Sequence, residues 1–289
     1  MRVDGKEIAE KIYKELEDRV GDLKKKNIVP HLVVILVGKN PASVAYVTLK
    51  QRKGEEIGAK ITVLKYNTDI TTYELIEKIK LLNIDPFVHG ILIQRPLPEQ
   101  IDVDKLEQLT NPEKDVDGFN PDSPYTLPLP LAVIKILEEI YKIKARDTLD
   151  TRDTFISWLK NQEIVVLGKG PTGGGPILKL LNKLGTNPML IDSKTENPQE
   201  LKKKADIIIA SVGRENVVKP EDIKNGAILI GVGLLRGEDG KLKGDYEPEK
   251  IKDIAGYYTP TPGGVGPVNV AMLIENLVTA AEKQTSLTK

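Results

Sequence analysis

The chain has 289 residues, of which 40% are hydrophobic and 29% are charged, as in soluble globular proteins. A single hydrophobic core stops growing at roughly 250–300 residues, so this length favours two domains. Lysine and arginine together number 42 and balance the 42 acidic residues, which argues against nucleic acid or an anionic membrane as a partner. The sequence has no cysteine and two histidines, His31 and His89, so it excludes disulfides and thiolate nucleophiles and favours no metal site.

Two segments bear on localisation, one at the N-terminus and one without charged residues near the C-terminus. Residues 1–14 are charged throughout and lack the apolar run of a secretory signal peptide. Residues 254–274 carry no charge, but they contain three prolines and four glycines, which a membrane helix of that length would not. We therefore expect a cytoplasmic enzyme with no membrane-spanning segment.

The first 143 residues alternate between helical and strand patterns. Apolar residues at helical spacing predict a first helix at Ile8, Ile12, Leu16, Val20 and Leu23. Apolar, β-branched runs predict strands at residues 31–37, 61–66 and 88–94. Further helices are expected after Ser43, taken as the N-cap of a helix that runs to Gly58, from a capping box at Thr71, and over residues 131–143.

The same alternation begins again after a charged connector at residues 144–162. Short apolar runs predict strands at 164–167, 188–191, 206–210 and 227–230, and a last helix is expected over about 268–283. This order predicts an α/β fold with an N-terminal α/β/α domain, a Rossmann-type dinucleotide-binding domain and a cleft between them. The predicted boundaries are 1–143, completed by 260–289, for the first domain and 144–259 for the second.

A glycine-rich loop directly follows the predicted strand at 164–167. Gly168, Gly170 and Gly173 have the G-x-G-x-x-G spacing, and a helix is predicted after them. The first glycine permits a tight turn, the second lets the backbone approach a pyrophosphate, and the third lets helix and strand pack closely. The helix N-terminus would then face the phosphates, so this segment predicts a dinucleotide site.

The second strand of this domain ends in residues of opposite charge. Asp192 stands where an acidic residue usually accepts hydrogen bonds from the adenosine ribose, which favours NAD. Lys169, Ser193 and Lys194 supply cations and a hydroxyl that would hold a 2′-phosphate, which favours NADP. From these residues alone the choice between NAD and NADP is open.

Four further motifs lie outside the glycine-rich loop. Tyr46 and Lys50 are four apart and share one face of a predicted helix. The strand at residues 90–94 ends in Gln94, followed by Arg95-Pro-Leu-Pro98, and the loop Lys114-Asp-Val-Asp-Gly118 carries two carboxylates. The fourth motif, Pro262-Gly-Gly-Val-Gly-Pro267, forms a rigid loop that suits a turn or the wall of a ligand site.

Together these motifs resemble the bifunctional methylenetetrahydrofolate dehydrogenase/methenyltetrahydrofolate cyclohydrolase family. The resemblance implies that residues 1–143 with 260–289 bind folate, and that Lys50 is the catalytic residue of the cyclohydrolase step. Gln94 would hold Lys50, Tyr46 would stack on the aminobenzoyl ring, and Asp117 would accept hydrogen bonds from the pterin. Pro96, Pro262 and Gly263 would complete the substrate site, with cis peptide bonds before Pro96 and Pro262.

The resemblance also implies the reaction. 5,10-Methylenetetrahydrofolate would be oxidised to 5,10-methenyltetrahydrofolate and then hydrolysed to 10-formyltetrahydrofolate by a metal-free homodimer that uses NADP, with NAD possible because of Asp192. The implied cofactor-binding residues are Gly168, Lys169, Gly170, Gly173, Asp192, Ser193, Lys194 and Leu234. A monofunctional NAD-dependent dehydrogenase and a dinucleotide-binding regulator without turnover are the alternatives, and Lys50 and Gln94 favour the bifunctional enzyme.

Several positions depart from the family pattern. Arg95 replaces a residue that is commonly apolar; its side chain could reach the glutamate tail of the folate or face solvent, and we favour solvent. Gly231 stands where the family usually has aspartate, and Gly168-Lys-Gly170 replaces Gly-Arg-Ser. The two histidines and Trp158 are expected to be packing residues.

Overall fold

The computed structural model describes residues 1–148, 154–237 and 240–286. The chain divides into two compact units. One, here the five-stranded unit, comprises Met1–Ala9 and Leu129–Asn269, and the other, the three-stranded unit, comprises Glu10–Pro128 and Val270–Lys289. The predicted domain boundaries stay a prediction, because compactness alone does not say which residues bind folate.

A parallel sheet forms the centre of the three-stranded unit. Strand β1 (His31–Val37) lies between β2 (Lys60–Tyr66) and β3 (Gly90–Ile93). Every residue of β1 is buried, as its unbroken apolar run predicts for a strand covered on both faces. The predicted strands are confirmed, although β3 is shorter than expected at both ends.

Helices cover this sheet, and local capping explains where they begin. They are α1 (Gly5–Lys25), α2 (Pro41–Glu56), α3 (Thr72–Ile84), α4 (Val103–Leu109) and, near the C-terminus, α10 (Val265–Ser286). The capping box at Thr71 is confirmed. The predicted N-cap Ser43 is wrong, because the Asn40 side chain accepts hydrogen bonds from the first-turn backbone and Pro41 already begins the helix. Helix α4 was not predicted; Asp102 caps it.

The five-stranded unit holds a parallel sheet with the strand order β10-β7-β6-β4-β5. Its strands are β4 (Ile164–Leu167), β5 (Met189–Ile191), β6 (Ile207–Ala210), β7 (Ile228–Gly231) and β10 (Tyr257–Tyr258). Its helices are α5 (Pro128–Thr148), α6 (Phe155–Lys160), α7 (Gly174–Lys183), α8 (Pro198–Lys204) and α9 (Pro248–Ile251). Parallel strands that alternate with helices confirm the α/β class and the Rossmann-type sheet.

Three features of this unit differ from the sequence-based expectation. The segment expected to be a charged connector contains α6, in which Trp158 packs on Tyr141 and Phe155 at centroid distances of 5.5 and 6.0 Å. A two-stranded antiparallel hairpin, β8 (Leu234–Arg236) and β9 (Leu242–Gly244), was not predicted, and neither was β10. Across the described residues every helix is too short or insufficiently apolar to span a bilayer.

Candidate functional site

A buried lysine forms the centre of the site in the three-stranded unit. Lys50 lies on the third turn of α2 and is 8% exposed. Its Nζ donates a hydrogen bond to Gln94 Oε1 at 2.9 Å. Gln94 Nε2 donates in turn to the backbone carbonyl of Arg95 at 2.7 Å, which fixes the amide so that its oxygen faces the lysine. The end of β3 thus holds the amine in one position.

Asp117 is the group of opposite charge that acts on the Lys50 amine. Burial lowers the pKa of Lys50, and the negative charge of Asp117 partly restores it. Burial raises the pKa of Asp117, and Lys50 and Arg95 partly lower it. Within residues 1–148, 154–237 and 240–286 no group donates a hydrogen bond to the Asp117 carboxylate, so both of its oxygens remain available to a ligand. The structure therefore brings the helix amine, the strand-end amide and the loop carboxylate together.

Tyr46 lies one turn before Lys50 on α2. Its ring is half-buried, and burial raises the pKa of its hydroxyl, so the phenol stays neutral. A half-buried ring beside the lysine offers an apolar face that an aromatic ligand group would stack on.

The two carboxylates of the loop after α4 have different surroundings. Asp115 accepts hydrogen bonds from the backbone of Gly118 and Asn120 at 3.1 and 2.7 Å, so it closes the loop on itself. Burial raises the pKa of Asp115 to about 6. Gly118 has φ +75°, a conformation that favours glycine. Asp117, with no such backbone partners, is the carboxylate that the loop presents.

One residue that fixes this loop was missed by sequence reasoning. Asn276 on α10 donates from its buried amide to the carbonyls of Val116 and Thr126 at 2.9 and 3.0 Å. These bonds secure the backbone on both sides of Asp117. Their partners are 160 and 150 residues apart along the chain, so no local pattern announces them.

Arg95 does not face solvent as expected. Its Nε donates to Glu107 Oε1 on α4 at 2.9 Å, and its Nη2 donates to the same oxygen. Its guanidinium carbon lies 4.6 Å from the centroid of the Phe119 ring. The sequence-based expectation is wrong because Glu107 and Phe119, which are distant in sequence, together hold the guanidinium.

The expected proline geometry is confirmed. The peptide bonds Arg95–Pro96 and Thr261–Pro262 are both cis. Pro96 directly follows the Gln94–Arg95 pair in the three-stranded unit, while Pro262 and Gly263 belong to the five-stranded unit. Gly263 has φ +103°, which a residue with a side chain rarely adopts.

The glycine-rich loop of the five-stranded unit has the shape of a phosphate cradle. Gly168 has φ +87°, and a Cβ at Gly170 would meet nothing within 4 Å, so its backbone faces open space. A Cβ at Gly173 would lie 2.4 Å from Ser211 Oγ. The closest approach belongs to Gly174, where a Cβ would lie 1.9 Å from the Gly168 carbonyl oxygen. Gly174, which sequence reasoning missed, is therefore the glycine on which packing of α7 on the loop most depends.

The opposite charges near the end of β5 neutralise each other. Lys169 Nζ lies 2.7 Å from Asp192 Oδ2, and the other oxygen of Asp192 accepts from the Lys194 backbone at 2.9 Å. These contacts, led by the Lys169 hydrogen bond, lower the pKa of Asp192 to about 2. Ser193 and Lys194 are exposed beside the pair, and Leu234 on β8 is 40% exposed.

The structure also bears on Gly231 and on the two histidines. A Cβ at Gly231 would lie 3.2 Å from the Tyr246 ring, so Tyr246 takes the space of the aspartate expected there. His31 bonds to the Phe87 carbonyl and the Thr62 hydroxyl, and His89 accepts from the His31 backbone, so both are packing residues. In the part of the chain that the structure describes, no three potential ligand side chains are grouped for a metal ion.

Two family models match the chain. Residues 3–117 match the tetrahydrofolate dehydrogenase/cyclohydrolase catalytic domain, and residues 152–285 match the NAD(P)-binding domain of the same family. The two matches cover the three groups around Lys50 and the glycine-rich loop respectively.

Full-length proteins and solved structures agree with these models. The chain is 38% identical over 296 residues to the "Bifunctional protein FolD" of Lactococcus lactis subsp. lactis, with 99% of each chain covered. The FolD dehydrogenase/cyclohydrolase structure from Campylobacter jejuni has a TM-score of 0.89 at 36% identity and covers 98% of this chain and 99% of its own. A Trypanosoma brucei FolD structure complexed with NADP cofactor and inhibitor has a TM-score of 0.85 at 28% identity and covers 99% and 98%.

Proposed function

We infer the chemistry of this site from the family to which the chain belongs, the tetrahydrofolate dehydrogenase/cyclohydrolase family. The enzyme oxidises 5,10-methylenetetrahydrofolate to 5,10-methenyltetrahydrofolate and hydrolyses this product to 10-formyltetrahydrofolate. The assignment of each role to a particular residue is our proposal, and the hydrogen bond between Lys50 and Gln94 carries it.

The glycine-rich loop fits the nicotinamide dinucleotide that the family uses. Gly170 leaves room for a pyrophosphate against the backbone, and α7 is a 10-residue helix whose N-terminus lies at the loop. When bound, the nicotinamide accepts the hydride that leaves the one-carbon bridge of the substrate. The residues of the chain therefore have to orient the substrate and handle protons, and no further electron acceptor is needed.

Lys50 is the proton acceptor of the hydrolytic step. Water adds to the carbon of the methenyl cation and loses one proton to the amine. The bond between that carbon and N5 then breaks, the hydroxyl becomes the formyl carbonyl, and its proton passes to N5. An amine accepts the proton from water only when it is neutral, and burial favours the neutral form of Lys50. Gln94 keeps the amine in place through its oxygen, so that its lone pair and the attacking water can be aligned.

The other site residues bind and position the folate. Asp117 offers two acceptor oxygens to the parallel N–H donors of the pterin edge. Tyr46 stacks on the aminobenzoyl ring, and Pro96 shapes the wall beside Gln94. Pro262 and Gly263 are assigned to the folate site from the family resemblance.

We propose NADP as the preferred cofactor, with NAD as a weaker alternative. The cations of Lys169 and Lys194 with the Ser193 hydroxyl suit a 2′-phosphate. The T. brucei relative was solved with NADP, which supports this choice. Asp192 opposes the phosphate, but its pairing with Lys169 reduces the opposition. Leu234 completes the binding residues on β8.

Replacement of Lys50 tests the proposed mechanism. Lys50→Met removes the amine and keeps an unbranched side chain of similar length, so hydrolysis of methenyltetrahydrofolate should fall by about a hundredfold or more. Oxidation of methylenetetrahydrofolate should persist, because the hydride step does not need this base. Arg52→Met on the same helix, where the side chain is 63% exposed, is the matched control and should leave both rates unchanged.

The outcomes of this experiment separate the alternatives. Unchanged hydrolysis in Lys50→Met contradicts the role of Lys50. A wild-type enzyme that oxidises but does not hydrolyse would instead be a monofunctional dehydrogenase. A protein that binds dinucleotide but turns over no folate would be the regulator.

We also propose a homodimer that works in the cytoplasm on tetrahydrofolate derivatives, with neither membrane nor nucleic acid as a partner. Analytical ultracentrifugation tests the dimer, and a mass of one chain at micromolar concentration would contradict it.

A further inference from the structure

A second cation, Arg95, lies near the loop that carries Asp117. Arg95 is held by Glu107 on α4 and by the Phe119 ring, which follows Asp117 by two residues. The side chain of Arg95 is 30% exposed and that of Glu107 is 12% exposed, so water screens this ion pair only in part. The guanidinium is therefore a fixed positive charge next to the loop that presents Asp117.

Asp117 lies in surroundings that disfavour its charge. Together with Glu107, Asp115 and Phe119 it lines a small cavity. Burial raises the pKa of Asp115 and of Glu107, and the negative charge of Asp117 adds to the increase in both. Burial also raises the pKa of Asp117, and the two cations that lower it are Lys50 from α2 and Arg95 from the segment after β3.

The proposed chemistry requires Asp117 to be ionised. A carboxylate presents two acceptors to the parallel N–H donors of a pterin, whereas a protonated carboxyl presents an O–H to one of them. Lys50 alone does not secure the charge, because the same amine has to be neutral to accept the proton from water. The guanidinium of arginine is effectively always protonated in proteins, and Arg95 supplies one beside this loop. It is the cation that remains when Lys50 is neutral.

We propose that Arg95 is a positioning residue of the folate site, which keeps Asp117 ionised while Lys50 changes charge, and that Glu107 moderates this effect. The inference rests on the proposed function, since it needs Asp117 to bind the pterin. Arg95 acts on the substrate only through Asp117. The Phe119 ring orients the guanidinium and so keeps its charge near that loop.

The test is the KM for methenyltetrahydrofolate as a function of pH in variants of the ion pair. In Arg95→Met the pH below which KM rises should move upward by about one unit, so KM rises about tenfold on the acidic side. KM should rejoin the wild-type value at alkaline pH, and kcat at saturation should be unchanged there. Arg95→Lys keeps the charge without the planar fork and should restore most of the wild-type profile.

Glu107→Gln provides a signature that a merely structural role does not. It keeps the shape of the side chain and removes the negative charge that offsets Arg95. The acidic rise in KM should therefore move to lower pH, opposite in sign to Arg95→Met. A shift of both variants in the same direction would overturn the inference, because loss of packing acts alike in both.

Two further outcomes also decide against the proposal. A KM that rises by the same factor at every pH in Arg95→Met would mean that Arg95 binds the substrate directly. A profile identical to the wild type would mean that Arg95 does not act on Asp117. If Arg95→Met fails to fold, the double variant Arg95→Met/Glu107→Gln removes both charges of the pair, and its acidic rise in KM should lie at higher pH than that of Glu107→Gln; identical profiles for these two variants would overturn the inference.

Dinucleotide binding serves as the control for folding. The affinity for NADP, measured by isothermal titration calorimetry in the absence of folate, should be the same in all four variants. A wild-type enzyme without folate turnover would refute the proposed function, whereas an active wild type with an unshifted Arg95→Met profile would refute this inference alone.

Discussion

The two charged sites of this enzyme differ in how their charges are held. Lys50 is buried and donates a hydrogen bond to a single amide oxygen, and the negative charge of Asp117 partly offsets the effect of burial on its pKa. Lys169 and Asp192 form an ion pair in which the lysine side chain is 62% exposed. Burial shifts the pKa of the first lysine, whereas solvent screens the second pair. In the function that we propose, the buried charges carry the chemistry and the exposed charges adjust the choice of cofactor.

The largest effect should follow from removal of the carboxylate in the buried site. Asp117→Ala removes two charge-assisted hydrogen bonds to the pterin, which together contribute about 3 kcal/mol or more, so the KM for folate should rise more than about a hundredfold. Asp122→Ala removes an exposed carboxylate five residues along the chain and is the matched control. Steady-state kinetics measure both, and an unchanged KM in Asp117→Ala would place the pterin elsewhere.

A second prediction tests the glycine cradle by packing alone. Gly174→Ala places a methyl group 1.9 Å from the Gly168 carbonyl oxygen, so the loop has to move and the free energy of unfolding should fall by about 1–3 kcal/mol. NADP affinity should fall as well. Gly21→Ala on α1, where a Cβ meets nothing within 4 Å, should be neutral or slightly stabilising. Equal unfolding midpoints in urea for both variants would contradict the close packing.

A third prediction concerns the exposed ion pair. Asp192→Asn removes the charge that opposes a 2′-phosphate, so the ratio of kcat/KM for NADP over NAD should increase, by less than about tenfold because the pair is exposed. Lys169→Met should decrease the same ratio. The measurement is methylenetetrahydrofolate oxidation with each cofactor side by side. A change in the same direction in both variants would show that the pair does not set cofactor choice.

The smallest effect should come from a change in ionic strength, which should act on the exposed Lys169–Asp192 pair more than on buried Lys50. Raising the ionic strength screens exposed charges, so the NADP over NAD ratio should fall by a few-fold at most between low and high salt. The pH dependence of hydrolysis depends on buried Lys50 and should move little. A pH dependence that shifts as strongly as the cofactor ratio would contradict the difference in screening.

Local patterns in the sequence predicted the parts of the fold whose causes are local. The apolar run of β1 and the capping box at Thr71 appear in the structure where they were predicted. Short elements without such patterns were missed, among them β8 and β9, in which Leu234 and Leu242 are 40% and 44% exposed and give no buried alternation. Helix α6 has only six residues, which are too few to show a helical apolar period.

In the candidate site, too, residues within local motifs could be predicted, whereas contacts that depend on the tertiary structure could not. Lys50 and Gln94 could be named from their motifs, and their hydrogen bond agrees with that pairing. The partner of Arg95 could not, because Glu107 reaches it across a loop and a helix that was not predicted. Similarly, spacing favoured Gly173 as the packing glycine, while the closest approach belongs to Gly174 and depends on the three-dimensional course of the loop.

The most direct test of the account is the titration of the Lys50 amine. Nitrogen-15 NMR of lysine side chains, assigned by comparison with Lys50→Met, measures its pKa in the folded enzyme. We expect a value below the ordinary lysine value of about 10.4 and a rise in the rate of methenyltetrahydrofolate hydrolysis over the same pH range. A Lys50 that titrates together with the surface lysines, or hydrolysis that is independent of that titration, would contradict it.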